Sequence, residues 1–173
     1  AADFSESINP TGPWAYGEAL VDGLGKPSLK IFNGQYTNFE PADYGPGQRA
    51  WYGAYPSYPW YQTMMKSKGT APVFDFPAGR CGGHAHSGAR WTAPFSTTIN
   101  LQGAAWKFRN SDAAFISLWI KGVKVIDHVL VPLQGPSCNS SSPYSFSKMI
   151  QDTGGSVGAL SNVSVSAGDE IYV

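Results

Sequence analysis

The chain has 173 residues, with twelve basic and twelve acidic side chains spread along it and a formal charge of zero. That balance excludes the basic footprint of a nucleic-acid binder, and no apolar run approaches the roughly 20 residues that cross a bilayer as a helix. Only 14% of residues are charged, while Gly, Pro, Ser and aromatics are abundant, a composition that suits one extracellular β-domain with a full core.

In chain order, Ala1-Ala2 fits the position just after a signal-peptidase cut, as in a processed secreted chain. Strands are expected near Trp14 to Leu20, Leu29 to Phe32, Val73 to Phe76, Gly88 to Thr92 and Thr97 to Phe108. They continue near Ala113 to Ile120, Val123 to Leu130, Tyr144 to Met149, Leu160 to Ser166 and Asp169 to Val173. The single helix candidate runs from Tyr61 to Lys68, bracketed by Pro59 and Gly69. Lys121-Gly122 between two apolar runs predicts a hairpin with a type I′ turn. Large apolar groups on both faces of its first strand place that hairpin deep in the sheet. Val163 and Val165 alternate with polar residues as in a half-buried antiparallel strand. The sequence stops inside the strand after Ala167-Gly168-Asp169, so that strand either lacks a partner or finds one elsewhere.

Several residues are candidates for chemistry. Cys81 and Cys138 are too far apart for a local redox or zinc pair, and in a secreted chain they suggest one disulfide. Closing that loop is worth about 4 kcal/mol in the chain-entropy model. Asn139-Ser140-Ser141 and Asn162-Val163-Ser164 are N-glycosylation sequons. Trp51, Tyr52, Tyr55, Tyr58, Trp60 and Tyr61 are interleaved with Gly53, Pro56 and Pro59. Proline favours an extended course, and flat rings held that way match the apolar faces of pyranoses. The same rings could equally pack on one another or meet a partner protein.

His84-Ala85-His86 puts two imidazoles on one side of an extended backbone, a possible metal pair. The position where cupins carry a Glu is Arg90 here, a cation that would oppose a metal, so no metal or cofactor is assigned. Arg90 beside Trp91 reads as a corner-holding residue. Glycoside hydrolysis needs two converging carboxylates. Asp43, Asp75, Asp112, Asp127, Asp152, Asp169 and Glu170 are scattered, and no nucleophile-elbow motif is present. No catalytic residue is therefore assigned, and the chain is read as a non-enzyme.

Four segments together resemble a family of bacterial extracellular jelly-roll modules. They are Asp3-Phe4-Ser5 with Asn9-Pro10-Thr11-Gly12-Pro13-Trp14-Ala15-Tyr16-Gly17, Ala50-Trp51-Tyr52, Arg90-Trp91-Thr92-Ala93-Pro94, and Val163-Ser164-Val165-Ser166-Ala167-Gly168-Asp169. The hairpin around Lys121-Gly122 is similar as well. The resemblance covers most of the chain. It implies an all-β, antiparallel jelly-roll sandwich over residues 1–173, non-catalytic and often grouped with carbohydrate-binding modules. The chain departs from that pattern at Arg80 to His86, in a long Pro-aromatic insertion from Pro56 to Pro72, and at its end, where relatives carry a further C-terminal strand.

Two functions are consistent with this reading. One is a secreted or cell-surface carbohydrate-binding module whose contact surface is Trp51, Tyr52, Tyr55, Tyr58, Trp60 and Tyr61, with a polysaccharide or glycan as partner. The other is a structural subunit of an extracellular filament or matrix, self-assembling through sheet edges and aromatic contacts.

Overall fold

The computed structural model describes residues 5, 7–37, 44–53, 63–69, 71, 76–84, 86–107, 113–133, 135 and 138–173. It is mostly β, with several antiparallel sheets. Contacts group the chain into two compact units, the first essentially residues 1–91 and the second essentially residues 92–171. No helix among the described residues is long and apolar enough to cross a membrane.

The first unit holds β1 (Trp14–Val21), β2 (Pro27–Ile31), β3 (Gly34–Tyr36), β4 (Ala50–Tyr52), β5 (Thr63–Lys66), β6 (Cys81–His84) and β7 (Ser87–Thr92). β1 is central to one sheet, antiparallel to β2 on one side and to β7 on the other. Asp22 fixes the β1–β2 turn: its Oδ1 accepts from the amides of Leu24 (2.9 Å) and Lys26 (2.8 Å), the Asx chemistry that makes aspartate a turn residue. The second sheet runs β3-β4-β5-β6, all antiparallel. Both sheets contribute to one core, in which Tyr16, Phe32, Trp51 and Met64 are buried with Trp14 and Ala89 against them.

This second sheet departs from the sequence reading. Residues 63–66, expected as part of a helix, form β5. Thr63, Met64 and Met65 are all buried, as in a strand covered on both faces, which carries no alternation to distinguish it from a helical turn. Cys81-Gly82-Gly83-His84, absent from the expected strands, is β6 and pairs with β5. Of the expected strand at Val73 to Phe76, residues 73–75 lie outside the described residues.

The second unit holds β8 (Thr97–Ile99), β9 (Ala104–Ala105), β10 (Phe115–Ile120), β11 (Val123–Leu130), β12 (Tyr144–Ser145), α1 (Phe146–Asp152), a 3-10 turn (Val157–Leu160), β13 (Val163–Val165) and β14 (Glu170–Tyr172). The β10–β11 turn is as expected: Lys121 and Gly122 have φ of 52° and 77°, the left-handed pair of a type I′ turn. The depth expected for the hairpin holds for β10, where Leu118, Trp119 and Ile120 are buried, and fails for β11. That strand is last in its sheet, and among its residues Ile126 alone is buried. Its ladder with β10 is also irregular, with register shifts around Leu118 and with His128 at φ 50° donating its amide to Ser117 Oγ at 3.0 Å.

The segment expected as one strand from Tyr144 to Met149 is mostly helix. Ser145 caps it, its Oγ accepting from the Lys148 amide at 3.1 Å. Phe146, Met149 and Ile150 form its buried face, the i, i+3, i+4 spacing of an amphipathic helix. The long strand expected from Thr97 to Phe108 is broken into β8 and β9, which pair with β13 and β12 respectively. The closing strand is partnered: Lys121 N donates to Glu170 O (2.9 Å) and Ala93 N to Asp169 O (2.8 Å).

Candidate functional site

Of the six aromatics expected to form a contact surface, Tyr55, Tyr58, Trp60 and Tyr61 lie outside the described residues. Trp51 and Tyr52 sit on β4 and serve the fold. Trp51 is 7% exposed within the core, and its Nε1–H donates to the Ser5 carbonyl at 2.8 Å, so the expectation that Trp51 presents a face to ligand is corrected. Tyr52 is half-buried and stacks on Tyr36, ring centroids 4.4 Å apart and planes 30° from parallel. The ring covers Gly34, its cross-strand partner; a β-carbon there would lie 2.3 Å from the Tyr52 ring. Glycine is thus required so that the aromatic can lie on the backbone. The Tyr36–Tyr52 pair is the described start of the segment that carries the other aromatics.

The segments that carry the family resemblance are structural. Asn9 Nδ2 donates to the carbonyls of Tyr16 (2.8 Å) and Phe32 (2.9 Å), and Asn9 Oδ1 accepts from the Tyr16 amide (2.9 Å). One side chain therefore ties the leading segment to β1 and to the residue after β2. Ala93 N donates to Asp169 O and Gly168 N to Ala93 O, both at 2.8 Å, so Ala93 locks onto the turn at Ala167 to Asp169. Arg90 lies on β7 opposite Ala15.

The Cys81–Cys138 disulfide expected from the sequence is not formed; both are free thiols. Cys81 lies exposed on β6 in the first unit, and Cys138 is buried in a small β-bridge with Gly135 in the second. Desolvation around the sulfur pushes the Cys81 thiol above its ordinary pKa, with Lys66 opposing the shift. The shift favours the protonated, less reactive thiol at neutral pH.

Of the two sequon asparagines, Asn139 is engaged. Its Nδ2 donates to Gly135 O (2.8 Å), and its Oδ1 accepts from the amides of Ser141 and Ser142 (2.9 Å each). Asn162 is exposed. His84 is on β6 and His86 just before β7; among the described residues no three of His, Cys, Asp and Glu gather as a metal would require. Several acids have local cationic partners: Asp127 with Lys124 (2.8 Å), Asp152 with Lys148, Asp169 with Lys121 (3.9 Å) and Glu18 with Lys30 (3.8 Å).

The sequence reading missed a cleft in the second unit. Asn100, Leu101, Gln102, Ser147, Val157, Leu160, Ser161 and Asn162 line an open surface groove of about 450 Å³, with Leu160 buried at its base and most of the other side chains exposed. It opens beside the β8–β13 ladder, where Leu101 N donates to Leu160 O and Asn162 N to Asn100 Oδ1, each at 2.8 Å. Every lining side chain is uncharged, and amides and hydroxyls supply both donors and acceptors. No single residue type announces such a site, because its walls come from three separate stretches of chain.

No family model, curated protein or solved structure matches the chain.

Proposed function

We propose that this chain is a secreted or cell-surface, non-catalytic β-sandwich of the jelly-roll kind, and that it binds a polysaccharide or glycan through the aromatic segment that Tyr52 opens. The observation that supports this reading is the Tyr36–Tyr52 stack. It fixes the first half-buried ring of a segment whose sequence goes on to Tyr55, Tyr58, Trp60 and Tyr61. Rings held in fixed directions bind pyranose faces at low entropic cost, because little conformational freedom remains to be lost. In affinity gel electrophoresis against a polysaccharide panel, at least one glycan is expected to retard the protein, and Trp60→Ala to abolish the retardation. Migration unaffected by every glycan would sink the reading.

A second reading, a structural subunit of an extracellular filament or matrix, draws on a different observation. Phe115 and Leu130, cross-strand partners at the open end of the β10–β11 hairpin, are both exposed, as is Leu133 just beyond it, and neighbouring exposed apolar groups commonly mark contacts between chains. Light scattering across a concentration series distinguishes the two. Assembly is expected to weaken in Leu130→Lys, and a monomer at every concentration would overturn this second reading.

A further inference from the structure

We infer that the cleft lined by Asn100, Gln102, Ser147, Ser161 and Asn162 is a binding site for a neutral saccharide unit, separate in its residues from the aromatic segment. The site is an open groove whose base is held by the fold. Its two walls are joined by the Leu101–Leu160 and Asn162–Asn100 hydrogen bonds directly beyond the β8–β13 ladder, so its shape exists before any ligand arrives.

Its polar groups are available. Among the described residues, the side-chain amides of Gln102 and Asn162 and the hydroxyls of Ser147 and Ser161 take no hydrogen bond from the protein, and Asn100 is engaged only through Oδ1. Leu101, Val157 and Leu160 supply an apolar part of the lining. A saccharide has the matching surface: hydroxyls that donate and accept, and C–H faces that pack on aliphatic groups. The absence of charge in the lining sets the class, because a charged ligand would give up hydration with no counter-charge in return. The volume of about 450 Å³ lies within the range of small-ligand sites, roughly 300–1,000 Å³.

Asn162 also holds a left-handed backbone, φ 53°. Among non-glycine residues asparagine tolerates that conformation best, and such positions cluster at ligand sites.

The side-chain NH2 resonances of the unglycosylated protein provide the test, since a glycan on Asn162 would itself occupy the cleft mouth. Titration with maltose, cellobiose and mannobiose, with glucuronate as the charged comparison, is expected to shift the Asn100, Gln102 and Asn162 signals for at least one neutral sugar and not for glucuronate. Asn162→Gly keeps a residue that adopts positive φ freely while removing the amide. It is expected to weaken binding about tenfold, equivalent to ~1.4 kcal/mol. Gln102→Ala, at an exposed position, is expected to weaken it likewise. Trp60→Ala is expected to leave the cleft signals unchanged, which separates this site from the aromatic segment. The inference is overturned if no neutral sugar moves these signals, if glucuronate moves them equally, or if neither cleft variant changes the affinity.

Discussion

At the scale of single residues, Asn9 does most to organise the first unit. A half-buried amide satisfies two carbonyls and one backbone N–H, and deleting it leaves those groups to find water or go unpaired. Leaving buried polar groups unsatisfied costs about 1–3 kcal/mol each, and some of these remain within reach of solvent. Asn9→Ala is therefore expected to cost about 2–3 kcal/mol, read as a lower urea midpoint with an unchanged slope. Nothing in the sequence separates this role from a ligand role, because an asparagine before proline looks the same in both. Trp51 is a similar case. Its place among neighbouring aromatics suggested a sugar platform, and only its burial and its bond to Ser5 show that it belongs to the core.

At the scale of elements, the turn at Lys121-Gly122 was legible because its chemistry is local: two positive φ angles in succession call for a glycine. The helix α1 was hidden, although its N-cap Ser145 and the glycine at 154 are ordinary helix boundaries. The alternation of Tyr144, Ser145, Phe146 and Ser147 imitates a strand, and tertiary packing of Phe146, Met149 and Ile150 decides against it. The helix also carries an acid-sensitive contact. Asp152 accepts from Lys148 and from the Tyr144 hydroxyl, the latter at 2.8 Å, and these bonds, that to Lys148 first, hold its carboxyl below the ordinary value. Desolvation and then the Asp152 bond push the Tyr144 phenol up. A depressed carboxyl adds stability above its unfolded pKa, ~3.9, and loses it as pH falls through the lower folded value. Asp152→Asn is expected to lower the melting temperature slightly at neutral pH, the contact being exposed. The gap from wild type should close below pH ~4. A gap that persists in acid would rule the contact out as its source.

At the scale of the whole molecule, the thiols offer a direct check. Without reductant, native protein is expected to take up iodoacetamide at Cys81, faster as pH rises, while Cys138, 1% exposed, reacts only in denaturant. An intact mass lower by two hydrogens, with no labelling at either cysteine, would instead restore a bridge. The amino-acid sequence by itself determined the all-β class, the β1 and β7 strands, the type I′ hairpin and the turn at Gly168, because alternation, β-branching and glycine placement act over a few neighbouring residues. Tertiary structure alone decided the β3-β4-β5-β6 sheet and the cleft. Strands of three or four residues such as Ala50–Tyr52 and Thr63–Lys66 are too short to carry a period and are defined by their partners. A site assembled from residues 100–102, 147 and 157–162 exists only once β8 meets β13 and the helix packs beside them, because its uncharged amides and hydroxyls become a site through proximity and not through reactivity.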